Sequence, residues 1–176
     1  MPPPDRQRLN RLLDEAVAAG QFRLRSTPMT EREVLAEVRL AHRHLAEAEW
    51  FVRVDHPILE SPFARAYDAV VVAANALLAA YGYTAAGEGG HEQALRAAAG
   101  LLHALGEKDA ERAVLEVRDT VRPLRHAAQY EHVEAVDGAV LTRGMELARQ
   151  LVPVLTDEAL ARRQLERPDF GSFGLS

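Results

Sequence analysis

Residues 61–81 read SPFARAYDAVVVAANALLAAY and set the architecture of the chain. Ser61 followed by Pro62 is typical of the first turn of a helix, and Gly82 is typical of its end. Small alanines between the larger residues allow neighbouring helices to approach closely. The apolar face is formed by Phe63, Tyr67, Val70, Ala74, Leu77, Leu78 and Tyr81. Because this spacing is helical, the stretch predicts a long helix packed against others.

Helical patterns also precede this stretch. A first helix is predicted to end near Ala19, and residues 21–29 are predicted to form a loop. Thr30 and Glu33 then form a capping box that opens a second helix, which residues 55–57 interrupt. The apolar seam of this helix is formed by Val34, Val38, Ala41, Leu45, Ala48 and Val52. Such a seam predicts packing on another helix.

Further helical patterns follow. A glycine-rich loop over 84–90 leads to a short helix over about 92–105. The next helix spans about 108–132, and Pro123 inside it predicts a kink or a restart. Asp137 is a predicted cap for another helix.

The whole pattern predicts an all-α protein that begins with an N-terminal helix. We expect residues 1–30 to form the N-terminal helix and loop, and residues 31–155 to form the bundle. Pro153 marks a predicted break. Residues 156–176 then form a C-terminal helix and a flexible tail.

Composition excludes several classes of protein. The chain has 176 residues, 21 basic and 26 acidic, and a formal net charge of -5, so it is not a globally basic nucleic-acid binder. It contains no cysteine, and this excludes thiol catalysis and zinc sites built from cysteine ligands. No histidine or carboxylate pattern fits a metal site, and we expect neither a metal nor a cofactor. Without a signal-like segment or a long apolar run, the expected location is the cytoplasm, with no membrane contact.

The segment over 108–132 carries the strongest chemical pattern. Five polar side chains lie along one helical face: Arg118, Arg122, Arg125, Gln129 and His132. Guanidinium groups can hold a phosphodiester and its transition-state charge, and an imidazole can move a proton near neutral pH. The alternative is a solvated face, or ion pairs with carboxylates on a neighbouring helix. Asp68 can pair with Arg65 or face this segment across the bundle.

Four parts of the chain resemble HEPN domains (higher eukaryotes and prokaryotes nucleotide-binding), and one of them is residues 138–152, which are similar to the family's last bundle helix. Residues 64–79, ARAYDAVVVAANALLA, are similar to a characteristic helix of that family. His91 resembles the histidine that follows the family's loop. Residues 124–132, LRHAAQYEH, resemble its arginine motif. The resemblance covers about residues 31–155.

The resemblance implies an up-down antiparallel helical bundle of HEPN type, to which this chain adds an extra N-terminal helix. It also implies that the protein is a homodimer. It also implies RNA binding, with metal-independent endoribonuclease activity of the toxin type at the dimer cleft. Arg125 would stabilise the transition-state charge and His132 would act as acid and base, at the longest spacing that the motif has. Substrate binding would fall to Arg118, Arg122, His126, Gln129 and Tyr130.

Two alternatives stay open beside the nuclease. One is a catalytically inactive HEPN module that binds a nucleotide or a partner chain. The other is a purely structural interaction protein that docks a partner helix on the seam of the second helix. The partners that the resemblance implies are RNA or a nucleotide, a second copy of the chain, and a minimal nucleotidyltransferase antitoxin.

Overall fold

The computed structural model describes residues 6–55, 58–86, 89–130 and 135–170; of residues 6–8, 129 and 130 it describes only the backbone. The chain is mostly helical. The helices are α1 (Arg6–Ala18), α2 (Glu31–Arg53), α3 (Glu60–Ala80), α4 (Gly90–Leu105), α5 (Lys108–Glu116), α6 (Arg122–Tyr130) and α7 (Gly138–Arg163). A π-helical turn (Val117–Val121) joins α5 to α6, and two short strands are β1 (Leu24–Ser26) and β2 (Tyr83–Ala85).

Helix α3 is the centre of the bundle. It packs along α2 and α7 and also contacts α4 and α6. All the apolar positions predicted for it are buried, which confirms the pattern. The sequence predicts Ser61 as the cap and Pro62 as the first helical residue, but the helix begins two residues earlier, at Glu60, and Ser61 does not cap it. In length and composition α3 could cross a membrane, but 72% of its most apolar window is buried inside the protein, as in the core helix of a soluble protein.

Helix α2 begins and ends as predicted. Thr30 Oγ1 accepts a hydrogen bond from the Glu33 backbone N–H at 3.3 Å, and Glu33 Oε2 accepts one from the Thr30 backbone N–H at 2.7 Å. This confirms the capping box. Val34, Val38, Ala41 and Ala48 of the seam are buried, whereas Val52 is exposed. The seam is therefore already covered by this chain over most of its length, mainly by α3 and α7.

A two-stranded sheet lies where loops were predicted. β1 and β2 pair antiparallel, with Leu24 opposite Ala85 and Ser26 opposite Tyr83. The backbone N–H of Thr27 continues the pairing by donating to the Gly82 carbonyl at 2.8 Å. Strands of three residues are too short to show an alternating pattern, which explains why the sequence did not predict them.

The interruption predicted near Pro123 is confirmed, and it takes the form of the π-helical turn. Proline has no N–H to donate to the carbonyl four residues earlier, and its ring crowds that carbonyl. The wider π turn just before it accommodates this misfit. Because the turn changes the angular spacing of residues, Arg118 and Arg122 do not follow the uniform helical spacing assumed for the arginine face.

Helix α7 begins after Asp137, whose Oδ1 accepts from the Val140 backbone N–H at 2.8 Å, as predicted. The predicted break at Pro153 is wrong, because the helix continues through it to Arg163. Packing of α7 along α3 and α2 holds the helix together across the missing proline N–H. The all-α class is therefore shown, while the HEPN type of bundle stays a prediction.

Candidate functional site

Arg125 of α6 anchors the candidate site against α3. Its Nη2 donates to Asp68 Oδ1 at 3.0 Å, and its guanidinium carbon lies 5.0 Å from the centre of the Tyr67 ring. Only 21% of the Arg125 side chain is exposed. The guanidinium is thus held by a charge-assisted hydrogen bond and a cation–π contact, both from one turn of α3.

Tyr67 connects Arg125 to a histidine at the start of α4. The Tyr67 hydroxyl lies 3.4 Å from His91 Nδ1, and their rings are 5.8 Å apart. Burial raises the pKa of Tyr67 to about 12, against the opposing effect of Arg125. Loss of solvation lowers the pKa of His91, and Arg125 lowers it further, while Asp68 opposes the shift. At neutral pH the site therefore holds a protonated phenol beside a neutral imidazole.

Arg122 and Arg118 are also close to carboxylates. Arg122 Nη1 lies 3.3 Å from Glu92 Oε2 on α4. Arg118 donates to both oxygens of Asp119, at 2.6 and 2.8 Å, and this hydrogen bonding raises the pKa of Arg118. Each of the three arginines therefore has a carboxylate partner. For Arg122 and Arg125 the partner lies on a neighbouring helix, as the ion-pair alternative anticipated, whereas Arg118 pairs with its own sequence neighbour.

The polar contacts extend from Asp68 to α2. Asp68 Oδ2 lies 4.0 Å from Arg65 Nη1, so this carboxylate stands between two guanidinium groups. Arg65 Nε lies 3.3 Å from Glu47 Oε2, and Arg65 Nη1 lies 3.4 Å from His44 Nδ1. Asp68 is therefore not left without a cation when Arg125 moves away from it.

A cavity of about 280 Å³ opens beside Arg125, between the start of α3 and α6. Phe63, Ala64 and Ala128 give it an apolar lining, and Ser61 and Glu60 add a hydroxyl and a carboxylate. An apolar wall next to a guanidinium suits a ligand that has a flat ring and an anionic group.

Of the predicted site residues, some lie in the site, some lie away from it, and for the rest the structure gives no side chain. Arg122 and Arg125 enter the site, whereas Arg118 pairs with its sequence neighbour on the π turn. His126 is exposed on α6. For Gln129 and Tyr130 the structure gives only the backbone of the last turn of α6, and His132 lies outside the described residues.

Sequence reasoning did not assign Tyr67 and His91 to the site, and it left open whether Asp68 pairs with Arg65 or faces the segment over 108–132. In the structure Asp68 lies near both Arg65 and Arg125. A signal existed for two of the three residues: Asp68 interrupts an apolar helix one turn after Arg65, and His91 directly follows the glycine-rich loop. Only the packing of α6 and α4 on the same turn of α3 brings them together.

Comparison of the chain with protein-family models, with curated proteins and with solved structures gives no match. We therefore infer the function from the residues and their geometry.

Proposed function

We propose that this protein is an RNA-binding module of HEPN type that holds RNA phosphates at Arg125 and Arg122, with metal-independent cleavage as its catalytic activity. The observation that carries the proposal is the convergence of two guanidinium groups, a neutral imidazole and an aromatic ring on one turn of α3. In such a set the guanidinium groups can bind phosphate oxygens, the imidazole can accept the 2′-hydroxyl proton, and the aromatic ring can stack on a nucleobase.

The ion pair with Asp68 is compatible with phosphate binding. Partly exposed ion pairs contribute about 1 kcal/mol or less, so exchanging a carboxylate for a phosphate oxygen costs little. Arg65 remains 4.0 Å from Asp68 after the exchange and continues to compensate its charge. Arg125 would turn toward the adjoining cavity, which it already lines.

The cleavage chemistry needs a proton acceptor near the phosphate. In the proposed motif this is His132, as acid and base, with Arg125 stabilising the charge that develops on the phosphate oxygens. His91 is a second candidate base, since its lowered pKa favours the neutral form. When its Nδ1–H donates to the Tyr67 hydroxyl, its Nε2 can accept a proton from the 2′-hydroxyl of RNA.

One observation favours the catalytically inactive alternative, a module that binds a partner chain or a nucleotide. All three arginines of the predicted face have carboxylate partners, so this face carries little excess positive charge. Binding of a long polyanion depends on such excess charge. A protein partner that forms ion pairs with both the arginines and the carboxylates of this face does not require an excess of positive charge.

A cleavage assay on single-stranded RNA with EDTA present separates the two functions. We expect the wild type to cut, and Arg125→Ala and His132→Ala each to lose at least about 100-fold in rate, because each removes a group that acts in the transition state. His91→Gln shows whether the second imidazole takes part. Arg112→Ala is the matched control, because that arginine is highly exposed and its ion pair in the described part of the chain is with the exposed Asp109.

Each outcome supports one function. Cleavage that persists in Arg125→Ala overturns the catalytic proposal. Salt-sensitive RNA binding without cleavage supports the inactive, RNA-binding form. Absence of both leaves the partner-binding module as the function that fits.

A further inference from the structure

A second cavity, of about 310 Å³, lies between α1, β1, the end of α3 and the end of α7. It is lined by Asn10, Asp14, Ser26, Pro28, Ala80, Tyr81, Gly82, Tyr83, Arg162 and Arg163. We propose that this cavity binds a small phosphate-bearing molecule through Arg162 and Arg163. The proposal is independent of the function proposed for α6.

Contacts with the protein hold both guanidinium groups in place. Arg162 Nη2 donates to Asn10 Oδ1 at 3.1 Å, and its guanidinium carbon lies 4.9 Å from the centre of the Tyr81 ring. Arg163 Nη2 donates to the backbone carbonyls of Met29, at 3.0 Å, and Ala79, at 3.3 Å. A ligand therefore meets cations that are already ordered, which lowers the entropy cost of binding.

Neither arginine forms an ion pair within the part of the chain that the structure describes. The Nε atom of each is buried and has no hydrogen-bond partner among those residues. By contrast, Arg149 and Arg143 on the same helix pair with Glu49 and Glu116. Because no described carboxylate neutralises them, the guanidinium groups of Arg162 and Arg163 are suited to an anion from outside the chain.

Among the described residues that line the cavity, guanidinium groups outnumber carboxylates. Asp14 is the one carboxylate among the described lining residues, and it accepts a hydrogen bond from the Tyr83 hydroxyl. Glu158 lies outside the lining and accepts a hydrogen bond from the Tyr81 hydroxyl at 3.3 Å. Loss of solvation, and then Asp14, raise the pKa of Tyr83 to about 12, so the phenol keeps its proton. Two guanidinium groups against one carboxylate favour an anion, and the guanidinium fork matches phosphate oxygens.

Two backbone carbonyls near the end of α7 accept hydrogen bonds from backbone N–H groups. The backbone N–H groups of Gln164 and Leu165 occupy the carbonyls of Ala161 and Leu160 at 3.2 and 2.9 Å. The volume of the cavity suits a phosphate ester of metabolite size.

This cavity is separate from the site on α6. Asp68 and Tyr81 are thirteen residues apart on and just after α3, and at 1.5 Å per residue this is about 20 Å. Binding at one place can therefore be measured without loss of the other.

Isothermal titration with inorganic phosphate and with ribose 5-phosphate tests the proposal, using the full chain. We expect the wild type to bind ribose 5-phosphate, and the double variant Arg162→Gln/Arg163→Gln to bind at least about 10-fold more weakly. Each lost charge-assisted hydrogen bond is worth about 1.5 kcal/mol or more, which is about tenfold in affinity. Arg149→Gln, an exposed arginine of the same helix, is the control and keeps wild-type affinity.

Amide NMR of the wild type decides the location even when the double variant does not fold. Ribose 5-phosphate is expected to shift the amides of Ser26, Gly82 and Tyr83. Shifts at the amides of Arg122, Leu124 and Arg125 instead would assign the ligand to the α6 site and overturn the proposal. Absence of binding at millimolar concentration, or equal binding by the double variant, would overturn it as well. Binding of inorganic phosphate with the same affinity as the ester would show that the sugar makes no contact.

Discussion

Single residues set how closely the helices approach α3. Gly144 of α7 faces the ring of Phe63, and a Cβ atom placed at residue 144 would lie 2.9 Å from two carbons of that ring. Phe63 is itself buried in the core and also borders the cavity beside Arg125, so its ring would have to be displaced from its packed position. This glycine is therefore required by packing between α7 and α3.

Gly144→Ala is expected to destabilise the protein. Alanine favours a helix over glycine by up to about 1 kcal/mol, but overpacking a rigid core typically costs about 1–3 kcal/mol. We expect a net loss in the free energy of unfolding, measured in urea. Gly138→Ala is the control, since a Cβ there meets nothing within 4 Å. Equal stability of the two variants would show that the α3–α7 contact is looser than described.

At the scale of helices and strands, the sequence predicts the features that depend on local apolar periodicity and on capping residues. The capping box of Thr30 and Glu33 and the buried face of α3 are examples of this kind. The sequence could not predict that α7 continues through Pro153, because contacts from α2 and α3 outweigh the local effect of proline. Likewise, Asp68 and His91 join Arg125 only through contacts between helices distant in sequence.

The segment after α7 also packs in a way that the sequence does not reveal. Phe170 stacks on His42 of α2, with ring centres 3.7 Å apart. His42 Nε2 lies 3.0 Å from the hydroxyl of the buried Thr156. The part of the predicted flexible tail that the structure describes up to residue 170 is therefore docked on the bundle.

This docking predicts a pH dependence of stability. Burial lowers the pKa of His42 below its ordinary value of 6.5; Arg167 lowers it further and Asp157 opposes the shift. The unfolded chain therefore binds a proton at this residue more readily than the folded chain. The contribution of His42 to the free energy of unfolding is therefore fully present above pH 6.5, and it is lost as the pH falls below that value.

Urea unfolding at pH 7.5 and pH 5.5 measures the effect. We expect the wild type to lose stability at pH 5.5, and His42→Gln to lose less. Some dependence remains in the variant, because the pKa of His91 is lowered as well. An equal loss in both proteins would contradict the role of His42.

At the scale of the whole molecule, the net charge of -5 limits how RNA can bind. Attraction must come from a local group of cations, since the chain as a whole repels a polyanion. A dimer that brings two copies of the α6 site together, as the resemblance implies, would double the number of cations facing one RNA strand.

Light scattering of the purified protein is expected to give twice the chain mass of 19.4 kDa at micromolar concentration. A monomer under those conditions would remove the shared cleft, and with it the arrangement on which the nuclease motif depends.

The most direct test of the central claim is RNA affinity as a function of salt for three proteins: wild type, Arg125→Ala and Asp68→Asn. We predict that the affinity of the wild type falls with salt, and that Arg125→Ala binds more weakly with a slope smaller by about 0.7, one phosphate contact to single-stranded RNA. Asp68→Asn should bind more tightly, because it removes the carboxylate 3.0 Å from Arg125. The same affinity and the same slope in all three proteins would contradict phosphate binding at Arg125.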